Sequence, residues 1–149
     1  MQERKLDKMF NPETIALIGA SEKDGSVGLT LMKNLIDRKD SKLFPVNPNR
    51  EKVLDIEAYP SVLKIEDPID LGIIATPAST VPSIVEECGE KGVPALIIIS
   101  AGFREVGPEG EKLEEELEKV REKYGIRILG PNCLGIIRPS VNLDRKSVV

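Results

Sequence analysis

The chain is 149 residues long, 40% hydrophobic and 31% charged, with a formal charge of 21 − 25 = −4. It is long enough for one domain with its own core, and too acidic and too poor in aromatics (3%) for a nucleic-acid-binding surface. It holds no histidine, which removes the commonest general base, the commonest metal ligand and any phosphohistidine from these residues.

Residues 1–9 read as a charged N-terminal extension without the apolar stretch of a signal peptide, and no run approaches the roughly 20 apolar residues of a membrane span. A cytoplasmic protein without membrane contact is expected. Plentiful Glu and Lys, with Gln2 the sole glutamine, point to a thermophilic source. The segment from Thr14 to Ser21, TIALIGAS, is a nearly continuous apolar run, the pattern of a strand buried on both faces. After it, Val27, Leu31, Met32, Leu35 and Ile36 share one helical face, with Asp24 or Ser26 as cap. KLFPVNPN is a second strand, which completes a βαβ unit.

The stretch REKVLDIEAYPSVLKIEDP is less periodic and reads as a connection with one short strand and a short helix. A third strand spans Ile69 to Pro77. The helix after it has Ser79 or Thr80 as cap, Pro82 in its first turn, and Val81, Ile84, Val85 and Cys88 on one face. Cys88 is expected in the core. Gly92 stops this helix, and PALIIIS is the fourth buried strand. A long helix follows, running from near Pro108 to Gly125 with Leu113, Leu117, Val120 and Tyr124 as its stripe. IRILGPN is a fifth strand, LGIIRP a short last one, and residues 140–149 a polar tail. Strands alternating with helices specify an α/β, Rossmann-like, doubly wound and mostly parallel sheet in a single domain over residues 10–139. The spacing of Cys88 and Cys133 suits neither a metal site nor a disulfide framework.

In such a sheet, ligands bind beyond the carboxyl ends of the strands. Five loops rich in small and turn-forming residues stand there: GASEKDGSVG, NPNREK, TPAST, SAGF and GPNCLG. In the first, Gly19 lets the chain leave its strand sharply. Gly25 and Gly28 remove side chains where a phosphate would approach, so a bulkier residue at 28 is expected to weaken ligand binding while the fold survives. Backbone N–H groups from Ser26 onward attract an anion, with Ser21, Lys23 and Ser26 as further donors. The second loop separates ligands, because an NAD site wants an acidic side chain there. Asn47, Pro48, Asn49 and Arg50 stand there instead, with Lys52 just beyond. A cation suits a phosphorylated ribose, which both NADP and coenzyme A carry.

The ordered set FNPETIALIGASEKDGSVG, VNPNREKVLDIEAYPSV, GIIATPAS, IIISAGF and GPNCLGIIRP resembles the CoA-binding domain of ADP-forming acyl-CoA synthetases. It is similar to the first domain of the succinyl-CoA synthetase alpha subunit, over Phe10 to Pro139. The resemblance implies coenzyme A or acyl-CoA along the carboxyl edge of the sheet. Gly19, Ala20, Ser21, Lys23, Gly25, Ser26, Val27 and Gly28 would hold its phosphates. Asn47, Pro48 and Arg50 would stand at the nucleotide end, and Thr76 and Pro77 along the pantetheine arm. Ser100, Ala101, Gly102, Asn132 and Cys133 would lie toward the thiol.

The resemblance also implies a phosphohistidine-bearing domain and an ATP-grasp subunit or domain as partners. The 149 residues supply neither, so a CoA-binding module that is not catalytically complete alone is expected, with no catalytic residue of its own. Cys133 has no neighbouring base to activate it, which favours packing or ligand contact over covalent catalysis. The alternatives are an NADP-binding oxidoreductase domain and a stand-alone module that senses CoA or a nucleotide. Oligomerisation is compatible with all three.

Overall fold

A computed structural model describes residues 7–131. Its centre is a five-stranded parallel sheet of β1 (Thr14–Ile18), β2 (Lys42–Val46), β5 (Leu71–Ile74), β6 (Ala95–Ile98) and β7 (Arg127–Leu129). Their order across the sheet is β2-β1-β5-β6-β7. Two further strands, β3 (Lys52–Val53) and β4 (Ile56–Glu57), form a separate antiparallel hairpin. Its two-residue turn holds Leu54 and Asp55 at φ values of 49° and 66°. The aperiodic connection therefore contains two paired strands rather than one, followed by a 3-10 turn at Val62–Lys64. Strands two residues long carry no periodicity to read.

Helix α1 (Val27–Ile36) lies on one face of the sheet, and α2 (Val81–Lys91) and α3 (Pro108–Tyr124) cover the other. The alternation of strand side chains decides this arrangement. Ile15, Leu17, Leu71, Ile73, Ala95 and Ile97 face the layer of α1, with Leu31, Met32 and Leu35. Ala16, Ile18, Ile74, Leu96 and Ile98 face Val85, Cys88 and Leu117. Both faces are covered, which is why these strands read as unbroken apolar runs. Burial pushes the Cys88 thiol up to about 12, the state of an inert core residue. Residues 7–10 are helical, and Met9 is buried in the α1 layer, so this part of the N-terminal extension packs into the core.

Helix ends follow the sequence signals in part. Gly92 and Gly125 are left-handed C-caps, and the Ser26 side chain caps α1. For α2, Thr80 makes no side-chain cap bond, because a 3-10 turn at Ala78–Thr80 leads directly into the helix. The first strand ends at Ile18 rather than Ser21, where Gly19 turns at φ +101°. The short strand expected at LGIIRP and the tail 140–149 lie outside the described residues. Among the described residues no helix is long and apolar enough to cross a membrane, and no cluster of His, Cys, Asp or Glu could hold a metal ion.

Candidate functional site

The sheet order reverses beside β1: β2 lies on one side, while β5, β6 and β7 continue on the other. At such a switch point the strand-exit loops part and leave a crevice. A cleft of about 470 Å³ occupies this place. It is lined by Gly19, Ala20 and Ser21 after β1, by Asn47, Pro48 and Asn49 after β2, and by Ala75, Thr76 and Pro77 after β5. Seven of the expected site residues thus meet in one cavity.

The glycine loop is held by the protein's own hydrogen bonds. Ser21 Oγ accepts from the Lys23 N–H, while Ser26 Oγ donates to the Lys23 carbonyl and accepts from the Leu29 N–H. Ser26 therefore spends its hydroxyl on closing the loop and capping α1. The Thr30 N–H bonds to the Ser26 carbonyl, which leaves Val27 and Gly28 as the residues with open N–H groups in the first turn. Lys23 and Gly25 are exposed at the loop tip.

Gly28 has a different duty from the one its sequence position suggests. A Cβ there would stand 2.1 Å from the Gly19 carbonyl oxygen, so the missing side chain admits the strand-exit backbone against the helix. A Cβ on Gly19 would in turn stand 2.9 Å from the Ala75 carbonyl, which brings the β1 and β5 exits together. The tightness of the loop is internal packing before it is ligand space.

The second loop is stapled to the first. Asn47 Nδ2 donates to the Ala20 carbonyl at 2.9 Å, and Asn47 Oδ1 accepts from the Asn49 N–H at 2.8 Å. Arg50 stands outside the cleft, lining an adjoining surface hollow that shares Pro48, Asn49 and Pro60 with it. Its guanidinium pairs with Glu22 of the glycine loop at 2.6 Å, and Arg50 Nε donates to the Lys52 carbonyl. Sequence spacing gave no sign of this carboxylate partner.

At the β6 exit, Ser100 is buried and donates to the Thr76 carbonyl, which ties the fourth loop to the third. Ala101 is exposed and Gly102 turns at φ +108°. The Glu105 carboxylate folds back to accept from the Gly102 and Phe103 N–H groups. Backbone donors, that of Gly102 first, then those of Glu105 itself and Phe103, hold its carboxyl below the usual carboxylate range. A depressed folded pKa means that the contact is complete above the ordinary carboxylate range and is lost as pH falls through the lowered value. Glu105→Gln at neutral pH should therefore speed amide hydrogen exchange at Gly102 and Phe103, read by NMR. Unchanged protection there would mean that Glu105 does not order this loop. Asn132 and Cys133 lie outside the described residues.

The cleft also gathers residues that were not expected in it: Pro60, Ser61, Val62, Thr80, Ile84 and Glu87. Ile84 belongs to the apolar stripe of α2, and Thr80 at its N-cap and Glu87 one turn after Ile84 follow at helical spacing, a signal the sequence does carry. Ser61 lies in the aperiodic connection and carries none.

Comparison with known proteins agrees with this fold and gives its family. A family model described as a CoA binding domain matches residues 13–139. The chain is 48% identical over 139 residues to acetate–CoA ligase [ADP-forming] I of Archaeoglobus fulgidus, covering 93% of this chain and 20% of that protein. It is 46% identical to the alpha subunit of acetate–CoA ligase [ADP-forming] II of Pyrococcus furiosus, covering 93% of this chain and 30% of that subunit. The crystal structure of a Pyrococcus horikoshii OT3 protein superposes with a TM-score of 0.90 at 47% identity, covering 94% of this chain and 32% of that one. A dinucleotide forming acetyl-coenzyme A synthetase 1 of Ca. Korarchaeum cryptofilum, in complex with phosphate and ADP, gives a TM-score of 0.87 at 35% identity. That match covers 95% of this chain and 30% of the synthetase chain. The chain thus spans between about a fifth and a third of the length of these relatives. With a single Rossmann-like sheet, a cleft at its switch point and a family match across nearly all its residues, the chain belongs to the CoA-binding domain family found in ADP-forming acetate–CoA ligases.

Proposed function

We propose that this chain holds coenzyme A, free or acylated, across the carboxyl edge of its sheet, as the CoA-binding part of an ADP-forming acyl-CoA synthetase system. The observation that carries the proposal is the cleft at the β1–β5 switch point, with Arg50 in the hollow that adjoins it, in a chain of this family. CoA supplies the thiol that becomes the thioester. The open N–H groups of Val27 and Gly28 at the start of α1 would attract its diphosphate. Arg50, released from Glu22, would take the ribose phosphate through parallel charge-assisted bonds. Thr76 and Pro77 would guide the pantetheine arm toward the Ser100–Gly102 loop.

Phosphoryl transfer would fall to a histidine-bearing domain and an ATP-grasp domain or subunit, since the 149 residues hold no histidine. Relatives that are alpha subunits, or several times longer than this chain, support that division. An NADP-dependent oxidoreductase would want a proton relay, and neither tyrosine lines the cleft; Tyr124 donates to Glu86 between α2 and α3. The cytoplasm is the place where such a system would work.

The proposal is tested by titrating CoA into the isotope-labelled chain and mapping the amide shifts. The largest are expected at 19–28, 47–50 and 76–80. Shifts concentrated instead in the groove between α3 and β7, around Leu117, Arg121 and Ile128, would contradict it.

A further inference from the structure

Among the described residues β7 is an outer strand of the sheet, paired with β6 on one side and with no strand on the other. The Arg127 N–H donates to the Pro94 carbonyl, so strand alternation turns the N–H and C=O of Ile128 away from β6, toward the open side. Backbone groups presented in this way are a template for a further strand. Apolar surface flanks them on both faces of the sheet. On the α3 face, Leu117 and Ile128 line a groove of about 590 Å³ that Gly130 and Pro131 also line. On the opposite face, Leu129 is 38% exposed.

We infer that residues 134–139, LGIIRP, pair with this edge as an antiparallel strand, so that the chain covers its own groove. Pro131 is the last described residue and lines the groove itself, so the chain leaves the described part at the place that needs cover. The family match runs on to residue 139, past Pro131, which makes LGIIRP part of the unit shared with the relatives. Four residues, 130–133, separate the end of β7 from Leu134. A connection that short returns a strand antiparallel, because a parallel return needs a crossover of about a dozen residues or more. Gly130, at φ +108°, starts the turn. Ile136 and Ile137 are neighbours and therefore face opposite sides of a strand, one toward Leu117 and Ile128 and the other toward Leu129. Pro139 has no N–H to extend the ladder. Residues 140–149 suit the edge less well, since Asp144, Arg145 and Lys146 interrupt their apolar positions.

Amide hydrogen exchange and NOE spectra of the 149-residue chain read this edge directly. The Ile128 N–H should exchange about 100-fold or more slowly than a free amide, independently of protein concentration. Cross-strand NOEs should join residues 127–129 to residues 134–138. Replacing both isoleucines, Ile136→Asp with Ile137→Asp, should return the Ile128 amide to within about tenfold of the free rate. Ile73 and Ile97, in the central strands, should stay protected in that variant. Should the variant not fold, the wild-type NOEs decide alone: their presence supports the pairing and their absence overturns it. Free exchange at Ile128 in the wild type, or protection that survives the double substitution in a folded chain, would overturn it too. Protection that grows with protein concentration and lacks those NOEs would give the edge to a second copy, and the inference would be wrong. No ligand enters these measurements, so their outcome is independent of the CoA reading.

Discussion

Replacing Gly28 by alanine is expected to destabilise the fold by about 2–4 kcal/mol, although alanine is the better helix former by about 1 kcal/mol. The added Cβ would stand 2.1 Å from the Gly19 carbonyl oxygen, and that atom belongs to backbone that cannot swing aside. The helix would have to move off the strand exit, and the N–H groups at its start would move with it. Gly25 is the control. It lies in the same loop at φ +78° with open space around it, so Gly25→Ala meets only left-handed strain of about 1–2 kcal/mol. Urea midpoints of the two variants decide the matter. A Gly28→Ala variant as stable as the wild type would mean that the loop relaxes freely and that Gly28 serves only the ligand.

Arg50→Ala should weaken CoA by roughly tenfold and leave dephospho-CoA nearly unchanged. A guanidinium–phosphate contact is worth about 1.5–3 kcal/mol at a partly exposed site. Here the guanidinium already holds Glu22 at 2.6 Å, with the two side chains 47% and 34% exposed. An exposed pair of this kind contributes about 0–1 kcal/mol, which the ligand must displace, so the net effect falls toward the lower end of the range. The same competition predicts that Glu22→Gln strengthens CoA binding by a few-fold, because the cation is then free for phosphate. Lys52, two residues on, can carry part of the charge, so the double variant Arg50→Ala with Lys52→Ala is the stringent form. Paired titrations with CoA and dephospho-CoA at fixed salt give the answer. Equal losses for the two ligands, or none, would make Arg50 a surface charge whose role is its bond to Glu22.

The layers of this fold are legible in the sequence because parallel strands buried on both faces must be apolar without interruption. TIALI, LGII and ALII follow that rule, and Gly92 and Gly125 mark their helix ends through the left-handed turn they adopt. The strand exits are legible too, since strands joined through helices run parallel and send their C-terminal ends to one edge. What stayed hidden depends on juxtaposition across the chain. Glu22 meets Arg50 over 28 residues and Ser61 meets Glu87 over 26, and no local pattern carries either pair. Gly28 was visible as a glycine, but its reason, the Gly19 carbonyl, exists only once helix and strand are packed. The sequence offers Ser26 both as a cap and as an anion donor; the bonds it makes give it the first duty. The hairpin at Lys52–Glu57 is set by its turn and by packing of Val53 in the core, not by periodicity.

One measurement tests the assignment of this edge to coenzyme A most directly: calorimetric titration of the 149-residue chain with CoA and, separately, with NADP, at fixed salt. The expected result is saturable binding of one CoA per chain, with NADP binding at least tenfold more weakly. No heat with CoA at high protein concentration, or tighter binding of NADP, would contradict it.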